Sequence, residues 1–157
     1  MAKQRRPRRS VPSPDPGDEV ATLHMLYLRA DYLRKLWIEL SREGNQTLGV
    51  EAAAADLSAG YALPLWVCVT MHLASLYTVV EGWRRLGLRN PRVDAALSVP
   101  GREASLRSLR DGVFHYGALN NASILALLAN ADLLAWAREL HSAFGVYLDG
   151  AHAAGAT

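Results

Sequence analysis

The segment from Leu65 to Leu86 is apolar on most sides of a helix, and it constrains the fold more than any other feature. A helix that presents hydrophobic residues nearly all around its axis is stable only at the centre of a bundle. No part of the chain shows the alternation of apolar and polar residues that is typical of half-buried strands. The sequence therefore predicts an all-α fold, an up-and-down bundle of about four main helices plus one or two short helices.

The other helices are predicted from apolar residues that recur at steps of three and four. Asp18 can cap the first helix, and Gly44-Asn45 is expected to stop it. Pro64 suits the first turn of the central helix, and Gly87 ends that helix. The remaining bounds are a loop at 45–60, a short helix at 93–97, a helix from 100 or 101 to about 116, and a last helix from about 120 to 147.

A basic, proline-rich segment precedes the predicted bundle. Residues 1–17 contain four of the seven prolines and almost no large apolar residue, so they are expected to be disordered. They also hold five of the 17 lysines and arginines but only one of the 15 acidic residues, Asp15, which leaves residues 18–157 net negative. The predicted organisation is a tail at 1–17 and one helical domain at 18–150.

Several classes of protein are excluded by what the sequence lacks. It has one cysteine, Cys68, which sits in an apolar run and is expected to be buried. No apolar signal region follows the basic N-terminus, and no uninterrupted apolar stretch is long enough to span a membrane. We find no phosphate loop, HExxH or GxSxG, and the four other histidines, which lack carboxylates at metal-ligand spacing, are expected at the core edge or the surface. The prediction is a cytoplasmic protein with no cofactor, no metal and no membrane contact.

Positive charge is concentrated in the middle of the chain. Seven arginines lie between Arg84 and Arg110, against only Asp94 and Glu103. Such a patch can attract phosphate groups, although it is equally compatible with a solvated helix face.

One short segment carries candidate chemistry. Arg110 is followed directly by Asp111, and His115 comes four residues later, near the end of a predicted helix. This arrangement resembles the defining motif of the HEPN family (higher eukaryotes and prokaryotes nucleotide-binding), an Arg and a His separated by four to six residues. The resemblance extends over roughly residues 65–140, and its matching stretches are Leu76–Trp83, Leu86–Leu88, Pro91–Asp94 and Leu106–Tyr116.

The resemblance implies metal-independent cleavage of RNA by a toxin or defence nuclease. In this reaction the 2′-hydroxyl is deprotonated, the leaving 5′-oxygen is protonated, and charge on the phosphorus centre is neutralised. Histidine side chains exchange protons near neutral pH, so His115 is the candidate for proton transfer. Arg110 keeps its charge and presents a fork to phosphate oxygens. Asp111 lies four residues before His115, on the same helical face, and could orient the imidazole.

Arg110 and His115 themselves are separated by about 140° around an ideal helix. Either the helix unwinds near Gly112 and Gly117, or two protomers each contribute one motif. The HEPN resemblance implies the second arrangement, a homodimer with a composite cleft.

Further residues are assigned to the same hypothesis. Glu81 interrupts the apolar face of the central helix, and such a carboxylate needs a partner, for which Arg110 is a candidate. The residues expected to contact RNA are Arg84, Arg85, Arg107 and Tyr116. Some HEPN toxins are silenced by a nucleotidyltransferase-type antitoxin that adenylylates a tyrosine two residues after the His. Here Gly117 holds that place, and Tyr116 precedes it.

Three functions therefore compete at this point. The first is a HEPN-like endoribonuclease, with RNA as substrate. The second is a non-catalytic HEPN module that binds RNA, a nucleotide or a partner protein. The third is a structural helical bundle that oligomerises.

Deletion of residues 1–17 is expected to leave the melting temperature almost unchanged, because this segment offers no apolar surface to the core. Thermal unfolding followed by circular dichroism of the full and shortened chains measures the effect. A fall of more than a few degrees would show that the segment contributes to the fold.

Overall fold

The computed structural model describes residues 16–55, 62–115 and 121–155, with side chains over 17–43, 63–115 and 122–151. These ranges form an all-α bundle without strands. Its helices are α1 (Pro16–Ala55), α2 (Ala62–Arg85), α3 (Pro91–Leu97), α4 (Arg102–Phe114), α5 (Asn121–Leu128) and α6 (Ala131–Gly155). The predicted fold class is confirmed, with four main helices and two short ones.

The apolar helix α2 lies at the centre of the bundle, as predicted. Both α1 and α4 pack along it. On the side of α6, the ring of Trp83 meets those of Phe144 and Tyr147 edge-on, with centroids 5.4 and 4.8 Å apart. The α2 side chains that are almost fully buried are Leu73, Ala74, Leu76, Val79, Val80 and Trp83. Their removal from water is the main force that assembles the four long helices.

Two helix ends differ from the sequence prediction. Helix α1 does not stop at Gly44-Asn45 but continues to Ala55, and most of the predicted loop at 45–60 is helical. One glycine costs a helix only about 1 kcal/mol relative to alanine, and the helix-forming Glu51 and the alanines after it follow. Pro16 and Gly17 belong to α1, whereas residues 1–15 of the predicted tail lie outside the described part of the chain.

The last predicted helix is two helices. It breaks at Ala129-Asn130, and α6 then continues beyond Tyr147 to Gly155. The side-chain oxygen of Asn130 accepts a hydrogen bond from the backbone N–H of Leu133 at 3.0 Å, which is the geometry of an N-terminal cap. The continuous apolar pattern on either side conceals this cap in the sequence.

The turns around α3 place α4 against α2. Gly87 and Gly101 both have positive φ, 63° and 77°, which a glycine adopts without strain. Asn90 caps α3 through hydrogen bonds to the backbone N–H groups of the first turn. The indole N–H of Trp136 on α6 donates to the carbonyl oxygen of Ala96 at 2.7 Å, so α3 is tied to α6.

Close contacts at two glycines set the spacing of α1 from its neighbours. A Cβ atom on Gly82 would lie 2.6 Å from Cδ1 of Leu23, a side chain that is only 2% exposed. A Cβ atom on Gly145 of α6 would collide with the hydroxyl of Tyr27. The side chains of Leu23 and Tyr27 on α1 therefore pack directly on glycines of α2 and α6, which have no side chain of their own to hold α1 away.

The fold bears on the predicted burial of Cys68 and on whether the apolar helix α2 could span a membrane. Cys68 is a buried free thiol, as predicted. Leu63–Arg85 is long and apolar enough to cross a membrane by length and composition, and 61% of its most apolar window is buried in the bundle. This is weak evidence for a membrane span, since the core helix of a soluble protein passes the same test.

Three histidines lie deeper than the core-edge or surface location that the sequence predicted. His24, His72 and His141 are all buried, where α1, α2 and α6 meet. The Nδ1 of His72 is 3.0 Å from the carbonyl oxygen of Ala30, so this nitrogen carries the proton and donates it. The rings of His72 and His141 meet edge-on with centroids 5.4 Å apart.

The carboxylate of Asp31 lies beside this histidine cluster. Asp31 is paired with Lys35 at 2.7 Å and with Arg34 at 2.9 Å. The Nε2 of His141 lies 3.5 Å from Oδ1 of Asp31 but makes no hydrogen bond. Burial alone would raise the pKa of Asp31, yet the hydrogen bonds from Lys35 and Arg34 outweigh it, and the pKa is lowered.

Burial keeps both core histidines neutral. It lowers the pKa of His72 from 6.5 to about 4, and the neighbouring His141 adds to the effect. It also lowers the pKa of His141 to about 4, and the charge of Arg34 acts in the same direction. The unfolded chain therefore binds more protons than the folded chain between these two values.

The bundle is expected to lose stability as the pH falls from about 6.5 towards 4. A histidine whose pKa is lower in the folded state contributes fully above its unfolded pKa and progressively less below it. Two such groups give a slope of at most about 2.7 kcal/mol per pH unit. Urea unfolding at pH 7.5, 6.5, 5.5 and 4.5 measures this slope. The variant His141→Asn should show about half of this pH dependence. Equal slopes in the wild type and the variant would contradict the low pKa assigned to His141.

Candidate active site

The end of α4 decides where the predicted motif residues lie. The helix ends at Phe114, and His115 follows as its C-cap with extended backbone, φ −122° and ψ 115°. The backbone N–H of His115 still donates to the carbonyl oxygen of Asp111 at 2.8 Å. Arg110 is therefore helical, whereas the extended φ of His115 turns its side chain away from the direction that a helical residue would have, so the 140° separation of an ideal helix is altered for this pair.

Arg110 and His115 line the same cavity of about 360 Å³. Helix α1 contributes one wall, α2 the floor, and the end of α4 the opposite wall. The lining residues are Leu26, Arg29, Ser75, Thr78, Glu81, Arg110, Phe114 and His115. The helix does not unwind at Gly112, and Gly117 lies outside the described residues, but α4 ends at Phe114 between them, and both motif residues line one cavity of a single chain.

Arg110 is held rigidly by its neighbours. One terminal nitrogen (Nη2) donates to Oε1 of Glu81 at 2.5 Å, and the other (Nη1) lies 3.0 Å from Oδ1 of Asp111. The guanidinium also lies over the ring of Tyr77, 5.0 Å from its centroid. Its Nε is buried without a hydrogen bond. The expected pairing of Glu81 with Arg110 is confirmed.

Asp111 has a different partner from the one predicted. Its carboxylate pairs with Arg110, and among the described residues it makes no hydrogen bond to the imidazole of His115. The predicted orientation of the imidazole by Asp111 is therefore not seen in the free protein, in which His115 is the C-cap of α4 and has an extended backbone. The imidazole is exposed at the edge of the cavity.

Comparison of this chain with family models, with curated proteins and with solved structures gives no match. The HEPN family therefore remains a resemblance carried by the motif, and the site has to be judged on its geometry.

The three described arginines that were expected to contact RNA lie outside this cavity. Arg84 pairs with Glu103 at 3.0 Å, and Arg85 lies 3.6 Å from Glu19. Arg107 is exposed beside a second cavity of about 390 Å³ between α2, α4 and the turn that precedes α4. Tyr116 lies outside the described residues.

The structure adds cavity residues that the sequence analysis did not assign. Arg29 of α1 is a second arginine at the cavity, and Phe114 an exposed aromatic side chain. Ser75 and Thr78 precede Glu81 at steps of three, which makes a polar stripe on an otherwise apolar helix. That stripe is visible in the sequence and could have located the cavity on α2. No local signal shows that Arg29 faces it, because this depends on how α1 packs against α2.

The cavity has the groups for acid–base chemistry on an anionic substrate. It contains an imidazole, a carboxylate and two guanidinium groups together with an apolar edge formed by Leu26 and Phe114. Within the part of the chain that is described, no three His, Cys, Asp or Glu residues are placed to hold a metal ion. Any catalysis by these described groups alone would rely on proton transfer and charge stabilisation.

The pair of Arg110 and Glu81 is expected to couple α4 to α2 by about 1 kcal/mol, at the upper end for surface pairs, because the Arg110 side chain is only 20% exposed. A double-mutant cycle with Arg110→Ala and Glu81→Ala, measured by urea unfolding, gives this value.

The pair of Arg85 and Glu19 is the control, since Arg85 is 70% exposed and the separation is 3.6 Å. Its coupling should be below about 0.5 kcal/mol. A coupling for Arg110 and Glu81 no larger than this would show that the contact is incidental.

Proposed function

We propose that this chain is a metal-independent endoribonuclease with its active site in the cavity at the end of α4. The observation that carries the proposal is that Arg110 and His115 line one cavity in a single chain. Helix α4 ends at Phe114, so His115 follows as the C-cap, five residues after Arg110. The HEPN resemblance of the same two residues supplies the substrate, RNA.

The chemistry requires two proton transfers. The 2′-hydroxyl of the substrate loses its proton to a base and its oxygen bonds to phosphorus. The bond to the 5′-oxygen then breaks, and that oxygen takes a proton from an acid. The products are a 2′,3′-cyclic phosphate and a 5′-hydroxyl. His115 is the proposed proton-transfer group, and Glu81 is a second proton acceptor in the same cavity.

A non-catalytic module that binds RNA, a nucleotide or a partner protein is the second candidate. It is favoured by the state of Arg110, whose charge is offset by two carboxylates. An arginine held in this way can join α4 to α2 without any role in a reaction. A toxin or defence role, and an antitoxin of the nucleotidyltransferase type, rest on the HEPN resemblance alone.

A homodimer also rests on that resemblance. The geometric reason for it was the separation of Arg110 and His115 on an ideal helix, and the end of α4 removes that reason. Light scattering at micromolar concentration distinguishes the 17.1 kDa chain from a species of twice its mass.

Substitution of His115 or of Arg110 by alanine is expected to abolish cleavage without unfolding the bundle. Loss of a proton-transfer group lowers the rate by roughly 10²- to 10⁴-fold, and loss of a charge-stabilising group has an effect of similar size. The assay incubates total RNA and tRNA with the protein in EDTA and identifies the product ends, of which 2′,3′-cyclic phosphate is expected. Asp111→Asn should have a smaller effect.

Two further variants make the assay specific. His115→Gln keeps a polar side chain without a titratable ring and should be as inactive as His115→Ala. Arg92→Ala removes an exposed arginine that lines neither cavity and should cleave like the wild type. Circular dichroism and melting confirm that each variant is folded. Equal cleavage by the wild type and His115→Ala would indicate a contaminating nuclease and favour the binding module.

A further inference from the structure

We propose that Arg29 of α1, rather than Arg110, is the cation that binds the phosphate group of RNA in this cavity. The inference rests on the proposed function for the identity of the ligand, single-stranded RNA, but not on the occurrence of cleavage.

Arg110 is poorly suited to bind a further anion. Both of its terminal nitrogens face carboxylates, those of Glu81 and Asp111. A phosphate that approached this guanidinium would meet two negative charges before it gained one positive charge. Each repulsion acts across a few ångströms at the protein surface, where it is only partly screened by water. In the free protein Arg110 therefore fixes α4 on α2 and holds Glu81 in place, and the first contact with phosphate falls to Arg29. The proposed contribution of Arg110 to cleavage is confined to the charge that develops during the reaction.

Arg29 has the opposite environment. It is exposed and lines the cavity from α1, and among the described residues its guanidinium makes no ion pair or hydrogen bond. Neighbours on one helix face lie three or four residues away, and for Arg29 these are Met25, Leu26, Tyr32 and Leu33. None of them carries a charge, and Glu81, the carboxylate that shares the cavity, is paired with Arg110, so the charge of Arg29 is available to a ligand.

A second polar group lies in the same cavity. Ser75 is only 5% exposed, yet it lines the cavity, and in the described region its hydroxyl makes no hydrogen bond. The Ser75 oxygen is not among the described side-chain atoms that are both buried from solvent and unpaired, so it is accessible from the cavity and can donate a hydrogen bond to a ligand there. One phosphate oxygen could accept its hydrogen bond while the other oxygens meet the fork of Arg29.

The edge of the cavity suits the rest of a nucleotide. Phe114 is 47% exposed and stands next to His115 at the end of α4. Exposed aromatic rings beside a cation are the usual platform for unpaired bases, because stacking on them is tolerant of sequence. The substrate class is therefore single-stranded RNA, with one phosphate at Arg29 and Ser75 and an adjacent base on Phe114.

The test measures binding to a probe that cannot be cleaved. We use a fluorescein-labelled 2′-O-methyl hexauridylate, which lacks the attacking hydroxyl, and follow its anisotropy between 50 and 200 mM NaCl. Loss of one phosphate contact lowers the slope of log affinity against log salt by about 0.7 for a single strand. Arg29→Gln should show this change and bind about tenfold more weakly at the lower salt concentration, whereas Arg29→Lys should keep the slope.

Arg42→Gln is the matched control. It removes the same charge from the same helix at an exposed position about 20 Å away along the axis. It should keep the wild-type slope, and the basic residues at the N-terminus contribute equally in every variant. Circular dichroism and melting establish that each variant is folded.

The outcomes separate this inference from the proposed function. If Arg29→Gln and Arg42→Gln have the same slope, or if the wild type does not bind the probe, the assignment of Arg29 is overturned. If the slope falls only in Arg29→Gln and the wild type does not cleave unmodified RNA, the assignment stands and the ribonuclease proposal fails. If the wild type cleaves RNA and Arg29→Gln both binds and cleaves like Arg42→Gln, the ribonuclease stands and the assignment fails.

Discussion

Burial of α2 among α1, α4 and α6 is the constraint on which the other features depend. A helix in this position satisfies most of its polar groups inside the bundle. Thr70 and Thr78 do so by donating to carbonyl oxygens of their own helix, and His72 donates to the backbone of α1. Near the solvent end of α2, Glu81 pairs with Arg110. The polar groups of the central helix thus fix the positions of α1 and α4.

The sequence predicts this architecture well because apolar residues at helical spacing report directly which faces must be buried. It predicts helix ends less well. Gly44 resembles a C-terminal stop, but a stop depends on the balance between unfavourable residues, here Gly44 and Gly49, and the favourable ones near them, such as the alanines after Glu51, and α1 continues. Asn130 sits inside an apolar pattern that reads as one helix, and only its hydrogen bond to the next helix shows the break.

The site was partly predictable for the same reason. A carboxylate on an apolar helix requires a partner, so the contact of Glu81 with Arg110 follows from the sequence. The side-chain position of His115 does not, since it depends on the extended backbone of the C-cap of α4, and the pairing of Asp111 with Arg110 was not predicted either. Arg29 lies more than eighty residues before the end of α4 in the chain. Its place in the cavity is a property of helix packing, which no local pattern encodes.

The contact of Gly82 with Leu23 bears on how such a cavity can change. The cavity is the gap that remains where α1 lies against α2 and α4 ends. Its width therefore depends on the distance between the backbones of α1 and α2. That distance is set by the absence of a side chain on Gly82, one residue after Glu81. Leu23 is too deeply buried to move aside freely, so a methyl group there would push the helices apart. The size of the molecule that the cavity admits can therefore evolve, or be engineered, at a residue that never touches it.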